Sequence, residues 1–231
     1  MYVGVFVERY NHSLYSNIPM NAQFENLVLR GTGGPNSKVS GQCSAAMNIN
    51  TSGVYIENGL IENNDCIGFR GYMIGPSTTI NGLIIRNSGD SSSNDAPLQS
   101  GFYLRSANWA PTIDNLEVSG SVGTGIHLMK SSLRGSDWKV HNNSGIGLHI
   151  QESHPEVDGI ESSDNGLNGV FVYDSSNVLL VNASSTRNGA SATEISEGFG
   201  FLYQESNLSL IHISEPTRLR RISYAVLCLK K

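Results

Sequence analysis

Residues 125–176 read GIHLMKSSLRGSDWKVHNNSGIGLHIQESHPEVDGIESSDNGLNGVFVYDSS. Three times a glycine opens a unit of apolar, any, apolar: GIHL from Gly125, GLHI from Gly147 and GVFV from Gly169. The step between them is constant, and such self-similarity at a fixed period marks a repeat architecture. GFYL at Gly101 precedes them at a slightly longer step. Successive side chains on a strand face opposite sides, so Phe102/Leu104, Ile126/Leu128, Leu148/Ile150 and Val170/Val172 share one side. Looser copies lie at Gly4 (GVFV), Ala46 (AMNI), Gly71 (GYMI) and Gly200 (GFLY).

A second unit separates the first: FENLVLRGT from Phe24, INGLIIRNS from Ile80, IDNLEVSGS from Ile113 and SDWKVHNNS from Ser136. Residues 33–44 and 89–100, rich in Gly, Ser, Asn and Pro, interrupt the spacing and read as protruding loops. Short strands recurring at so brief a period leave no room for crossover helices or propeller blades. One unit cannot cover its own apolar face, but stacked units do, each inward side chain contributing about 1.5–3 kcal/mol. The spacing therefore predicts an all-β parallel β-helix over residues 1–207, a solenoid with coils of roughly 22–24 residues. Two further columns support in-register stacking. Glu117, Lys139 and Glu161 recur at the same step and are expected to alternate in sign on adjacent coils, about 4.8 Å apart. Asn143, Asn165 and Asn188 recur at nearly that step and predict an asparagine ladder at a turn.

The motifs GIHLMKSS, GLHIQES and GVFVYDSS, followed by Asn-Asn or Asn-Gly turns, resemble the right-handed parallel β-helix repeat family. That pectate-lyase-like superfamily includes NosD-type periplasmic proteins and carbohydrate-binding surface proteins. The resemblance covers nearly all of residues 1–207 and implies a right-handed helix. It implies much less about function, since one fold hosts lyases, hydrolases, epimerases, adhesins and scaffolds.

Residues 208–231, LSLIHISEPTRLRRISYAVLCLKK, break with this pattern: no Gly, no Asn and a sudden basic cluster. The string resembles a translated sequencing adapter, and such scars are set apart from fold reasoning. The reading frame is accordingly expected to be truncated, as in an environmental assembly, with the tail foreign to the domain. The whole chain of 231 residues carries 15 Lys+Arg against 20 Asp+Glu, a net charge of −5. Without the tail's five basic residues and one glutamate, 10 oppose 19, a net charge of −9. That balance argues against a nucleic-acid partner, which needs clustered Lys and Arg. No run of eighteen apolar residues suggests a membrane span, and Met1-Tyr-Val-Gly-Val lacks the layout of a signal peptide.

The resemblance brings enzyme motifs to test. Polygalacturonase-like hydrolases carry Asn-Thr-Asp, Asp-Asp, Gly-His-Gly and Arg-Ile-Lys, since inverting hydrolysis needs spaced carboxylates. This chain has only Asn63-Asn64-Asp65 and Gly89-Asp90, which read as turn residues. Pectate-lyase-like enzymes need a Ca²⁺-binding carboxylate cluster and a nearby Arg or Lys. Asp114 and Asp158 share a register here but sit two coils apart, with Ser136 between them. No catalytic residue is assigned, and bound Ca²⁺ is at most loosely held by the acidic surface.

The outward registers are the candidate site. Tyr103, His127, His149 and Phe171 occupy one register on four successive coils, and Arg105, Met129, Gln151 and Tyr173 the next. A row of rings can stack sugar faces, while Arg and Gln hydrogen-bond hydroxyls; Trp109 is another candidate platform. The competing reading is a column of like residues that only stabilises the sheet. His127 and His149 are weak metal candidates, two ligands where three or four are usual. Cys43 and Cys66, one coil apart, suit either a disulfide between adjacent coils or two buried thiols. The expectation is a non-catalytic scaffold of a secreted or cell-surface protein, binding a polysaccharide or other glycan through Tyr103, Arg105, His127, His149, Gln151, Phe171 and Tyr173. Its alternatives are a fragment of a polysaccharide lyase or glycoside hydrolase, and a NosD-type periplasmic protein.

Overall fold

A computed structural model describes residues 5–8, 21–31, 45–51, 53–90, 99–107, 110–194, 197–206 and 208–211. All regular structure among them is strand, and every strand pairing is parallel. One sheet has eight strands: Val5–Glu8, Met47–Asn50, Phe69–Tyr72, Phe102–Arg105, Ile126–Met129, Leu148–Gln151, Val170–Tyr173 and Phe201–Gln204. The other strands stack into a twelve-stranded sheet folded around the rest of each coil. A strand thus pairs with the equivalent strand one coil away, as a solenoid requires.

Each coil bends at left-handed residues. The second and third corners are built mainly from Asn, Asp and Gly, for example Asn115, Asp137 and Gly159, then Gly120, Asn142 and Asp164. Those residues tolerate positive φ best. The first corner, following the eight-stranded sheet, instead uses Thr51, Met73, Ser106, Lys130, Glu152, Asp174 and Glu205, with φ between 45° and 58°. A serine ladder clamps that corner. The Ser131 hydroxyl donates to the Met129 carbonyl at 2.9 Å across Lys130, and the Ser131 N–H donates to Ser153 Oγ at 3.0 Å. Ser153 and Ser175 repeat both bonds.

The interior is filled by like on like. Ile126, Leu148 and Val170 are completely buried, as are Leu128, Ile150 and Val172. Phe69 and Phe102 stack at 4.8 Å with planes 8° apart. The asparagine ladder forms as expected: Asn143 Nδ2 donates to Asn165 Oδ1 at 2.9 Å, and Asn165 Nδ2 to Asn188 Oδ1 at 2.9 Å. Each Oδ1 also accepts the preceding coil's backbone N–H, from Ser121, Asn143 and Asn165 in turn.

One register and one charge pairing differ from expectation. Phe69 pairs with Phe102 and Gly71 with Leu104, so Gly68, not Gly71, is equivalent to Gly101. Gly71 occupies an inward slot where a Cβ would meet the Leu104 side chain at 2.5 Å and Ile74 at 3.1 Å. Those neighbours fill the space that other coils give to a larger side chain. Glu117, Lys139 and Glu161 do face one another across coils. Yet the Glu117 carboxylate turns to Arg86 at 3.0 Å and His141 at 3.8 Å, because two donors on neighbouring coils converge on it. In the stretch assigned to the tail, Leu208–Ile211 pairs with Val178–Val181, as an apolar segment does on an open strand edge. Residues 212–231 lie outside the described residues, as do 32–44 and 91–98, most of the two expected loops.

Candidate functional site

The outward side of the eight-stranded sheet carries two rows set by strand register. The first runs Asn48, Arg70, Tyr103, His127, His149, Phe171 and Leu202. The second runs Asn50, Tyr72, Arg105, Met129, Gln151, Tyr173 and Gln204. Arg70 and Tyr72 were missed because the sequence register began this coil at Gly71. The Gly68-Phe69 pair, read as the start of the unit, would have exposed them.

From His127 to Phe171 the rings of the first row stack on one another, and Tyr103 packs tilted against His127. His127 and His149 lie 4.6 Å apart at 13°, His149 and Phe171 5.0 Å apart at 16°, and Tyr103 and His127 5.3 Å apart at 49°. The strand spacing of about 4.8 Å matches a comfortable stacking distance, so in-register rings cover each other's faces. This corrects the expected open platform. Tyr103 and His127 are 4% and 3% exposed and lie beneath the surface, while His149 and Phe171 are half-buried.

Burial dominates the chemistry of the two histidines. It pushes His127 down to about 3, with His149 adding repulsion and the Gln151 side chain working the other way. It pushes His149 down to about 4. Both rings are therefore neutral at pH 7, and neither His127 nitrogen nor His149 Nε2 meets a hydrogen-bond partner. Near-parallel rings also direct their lone pairs alongside each other rather than toward one ion. Among the described residues no group of three or more His, Cys, Asp or Glu is placed to hold a metal.

The second row remains at the surface. Arg105 is exposed, and Tyr72, Met129, Gln151 and Tyr173 are half-buried. The Tyr103 hydroxyl donates to Met129 Sδ at 3.5 Å, tying the rows together. Phe171 and Tyr173 rings lie 6.3 Å apart, tilted by 36°.

The other candidates have structural partners. Asp114 accepts from Ser136 Oγ at 2.8 Å and Asp158 from Asn182 Nδ2 at 2.7 Å, so neighbouring coils use both carboxylates. Asn63 forms a left-handed corner with φ 57°, and buried Asn64 donates to Ser88 Oγ at 3.3 Å. Cys66 is buried and disulfide-bonded; its expected partner Cys43 lies outside the described residues, as does Trp109. No described helix is long and apolar enough to cross a membrane.

A family model described as "Right handed beta helix region" matches residues 72–215. No curated protein sequence matches significantly. Among solved structures, the periplasmic alginate epimerase AlgG is similar at 12% identity and a TM-score of 0.58, over 91% of this chain and 55% of that one. The enzymatically active domain of bacteriophage CBA120 tailspike protein 2 is similar at 15% identity and a TM-score of 0.53, over 74% of this chain and 32% of that one. This chain thus spans about half the length of the epimerase.

Proposed function

The chain belongs to the right-handed β-helix family, and from that premise we propose that it is a carbohydrate-binding scaffold of a secreted, cell-surface or periplasmic protein. The supporting observation is the second row, Tyr72, Arg105, Met129, Gln151 and Tyr173, laid at strand spacing beside the row of packed rings. Hydrogen-bonding heads alternate there with apolar and aromatic bodies, the mixture that a sugar's hydroxyls and C–H faces require. Buried Tyr103 and His127 support the neighbouring row rather than contact the glycan. Phe171, Tyr173, Gln151 and Arg105 are the contact residues.

Two structural neighbours are an alginate epimerase and an enzymatically active tailspike domain. They favour a second reading, in which the chain is part of a polysaccharide-acting enzyme. Glycan-array binding by the full chain tests the first reading, with Phe171→Ala/Tyr173→Ala as the variant. The expected result is binding that the variant weakens at least tenfold; binding untouched by the variant removes the site. Product formation from a bound polysaccharide would favour the enzyme.

A further inference from the structure

We propose that the carbohydrate taken by this face is a polyanion, with Arg70 and Arg105 receiving its carboxylate or sulfate groups. The proposal rests on the carbohydrate reading above and adds the charge class of the ligand.

The basis is how the chain distributes its cations. Among the described residues, five of eight Lys and Arg side chains are held by a carboxylate. Arg30 pairs with Glu62, Arg86 with Glu117, Lys130 with Glu152, Arg134 with Glu156 and Arg187 with Asp164. Lys139 makes no ion pair but sits between Glu117 and Glu161 in strand register. Arg70 and Arg105 have neither a paired carboxylate nor an acidic neighbour in register. Their cross-strand neighbours are Asn48, Tyr103, Tyr72 and Met129, and the corner residues beside them are Met73 and Ser106. From Met47–Asn50 to Phe201–Gln204, neither outward row contains a single Asp or Glu. In a chain with 20 acidic residues against 15 basic ones, this face alone among the described residues keeps its cations uncompensated.

The two arginines also form a defined block. Arg70 and Tyr72 flank Gly71 on one strand, and Tyr103 and Arg105 flank Leu104 on the next. The register sets Arg70 against Tyr103 and Tyr72 against Arg105, so guanidinium and phenol alternate on a two-by-two grid. The arginines occupy its diagonal, roughly 7–8 Å apart at the backbone. Neighbouring like charges without counter-ions repel, and an anion between them relieves that cost. A guanidinium offers a planar fork that takes a carboxylate or sulfate through two parallel hydrogen bonds. Successive charged groups along one glycan strand can then engage both forks.

The test is a titration of the full chain with polygalacturonate, dextran sulfate and unmodified dextran, at low and high salt. The expected result is binding of at least one charged polymer, ten times or more tighter than dextran and weakened by salt. Arg70→Gln/Arg105→Gln is expected to lose at least tenfold affinity for that polymer, Arg70→Lys/Arg105→Lys to recover part of it, and Lys139→Gln to lose none. The polymer preferred distinguishes carboxylate from sulfate. Equal binding of dextran, or equal loss in Lys139→Gln, overturns the charge assignment and leaves the carbohydrate reading standing. Binding of no polymer overturns both. If the double variant misfolds by circular dichroism, the wild-type preference and its salt dependence decide alone.

Discussion

A Cβ placed on Gly147 would stand 2.6 Å from the Asn165 amide nitrogen. The glycines that open the units at 125, 147 and 169 are thus there because the asparagine ladder, joined by Ser162 and Ser185 at the last two, leaves no space for a side chain. Gly125 meets Asn143 and Gly169 meets Asn188 in the same way, at 2.6 and 2.5 Å.

Gly147→Ala must therefore displace the Ser162 hydroxyl at 2.5 Å as well as Asn165 and the Gly169 carbonyl, both at 2.6 Å. Overpacking of this kind costs about 1–3 kcal/mol. Urea unfolding should show that loss, and an unchanged midpoint would mean that the ladder gives way freely.

Much of this was legible in the residues, and the exceptions are physical. The Gly-apolar-any-apolar pattern holds from Gly101 to Val172, where each inward slot holds a large apolar side chain. It fails at Gly71, whose slot is filled from elsewhere by Ile74 and Leu104. The asparagine ladder could be read because three amides recur at nearly one spacing. The serine ladder of Ser131, Ser153 and Ser175 was hidden among many turn serines. Ring orientation was not encoded in spacing at all: Tyr103, His127, His149 and Phe171 were correctly placed in one register. Whether they show faces or edges depends on side-chain rotation, and stacking at the strand spacing decides it.

The first corner stores strain that mutation can release. Met73 holds φ 52° with half its surface exposed, so its side chain contributes little packing. This conformation costs an ordinary residue about 1–2 kcal/mol, and asparagine less. Met73→Asn should raise the free energy of unfolding by about 0.5–1 kcal/mol, whereas Met73→Ala should not raise it. Chemical denaturation of the two variants checks the difference.

Acid should weaken the fold through the stacked histidines. His127 and His149 titrate near 3 and 4 in the folded chain, whereas an unfolded histidine titrates near 6.5. Below pH 6.5 the unfolded chain therefore binds more protons, and stability falls as pH drops toward the folded values. Each ring contributes a slope of up to about 1.4 kcal/mol per pH unit, with no effect above the unfolded value. Unfolding measured between pH 6.5 and 5 should show this slope, and His149→Phe should reduce it while preserving the stack. Equal slopes in wild type and variant would contradict the burial argument.

The central claim is that the outward face of the eight-stranded sheet holds a carbohydrate along its second row. Calorimetric titration of the full chain with the best polysaccharide from the glycan array tests it most directly, comparing wild type with Arg105→Gln/Tyr173→Ala. Saturable binding by the wild type is predicted, with at least a tenfold loss in the variant and matching circular dichroism. Undiminished affinity in a folded variant would contradict it.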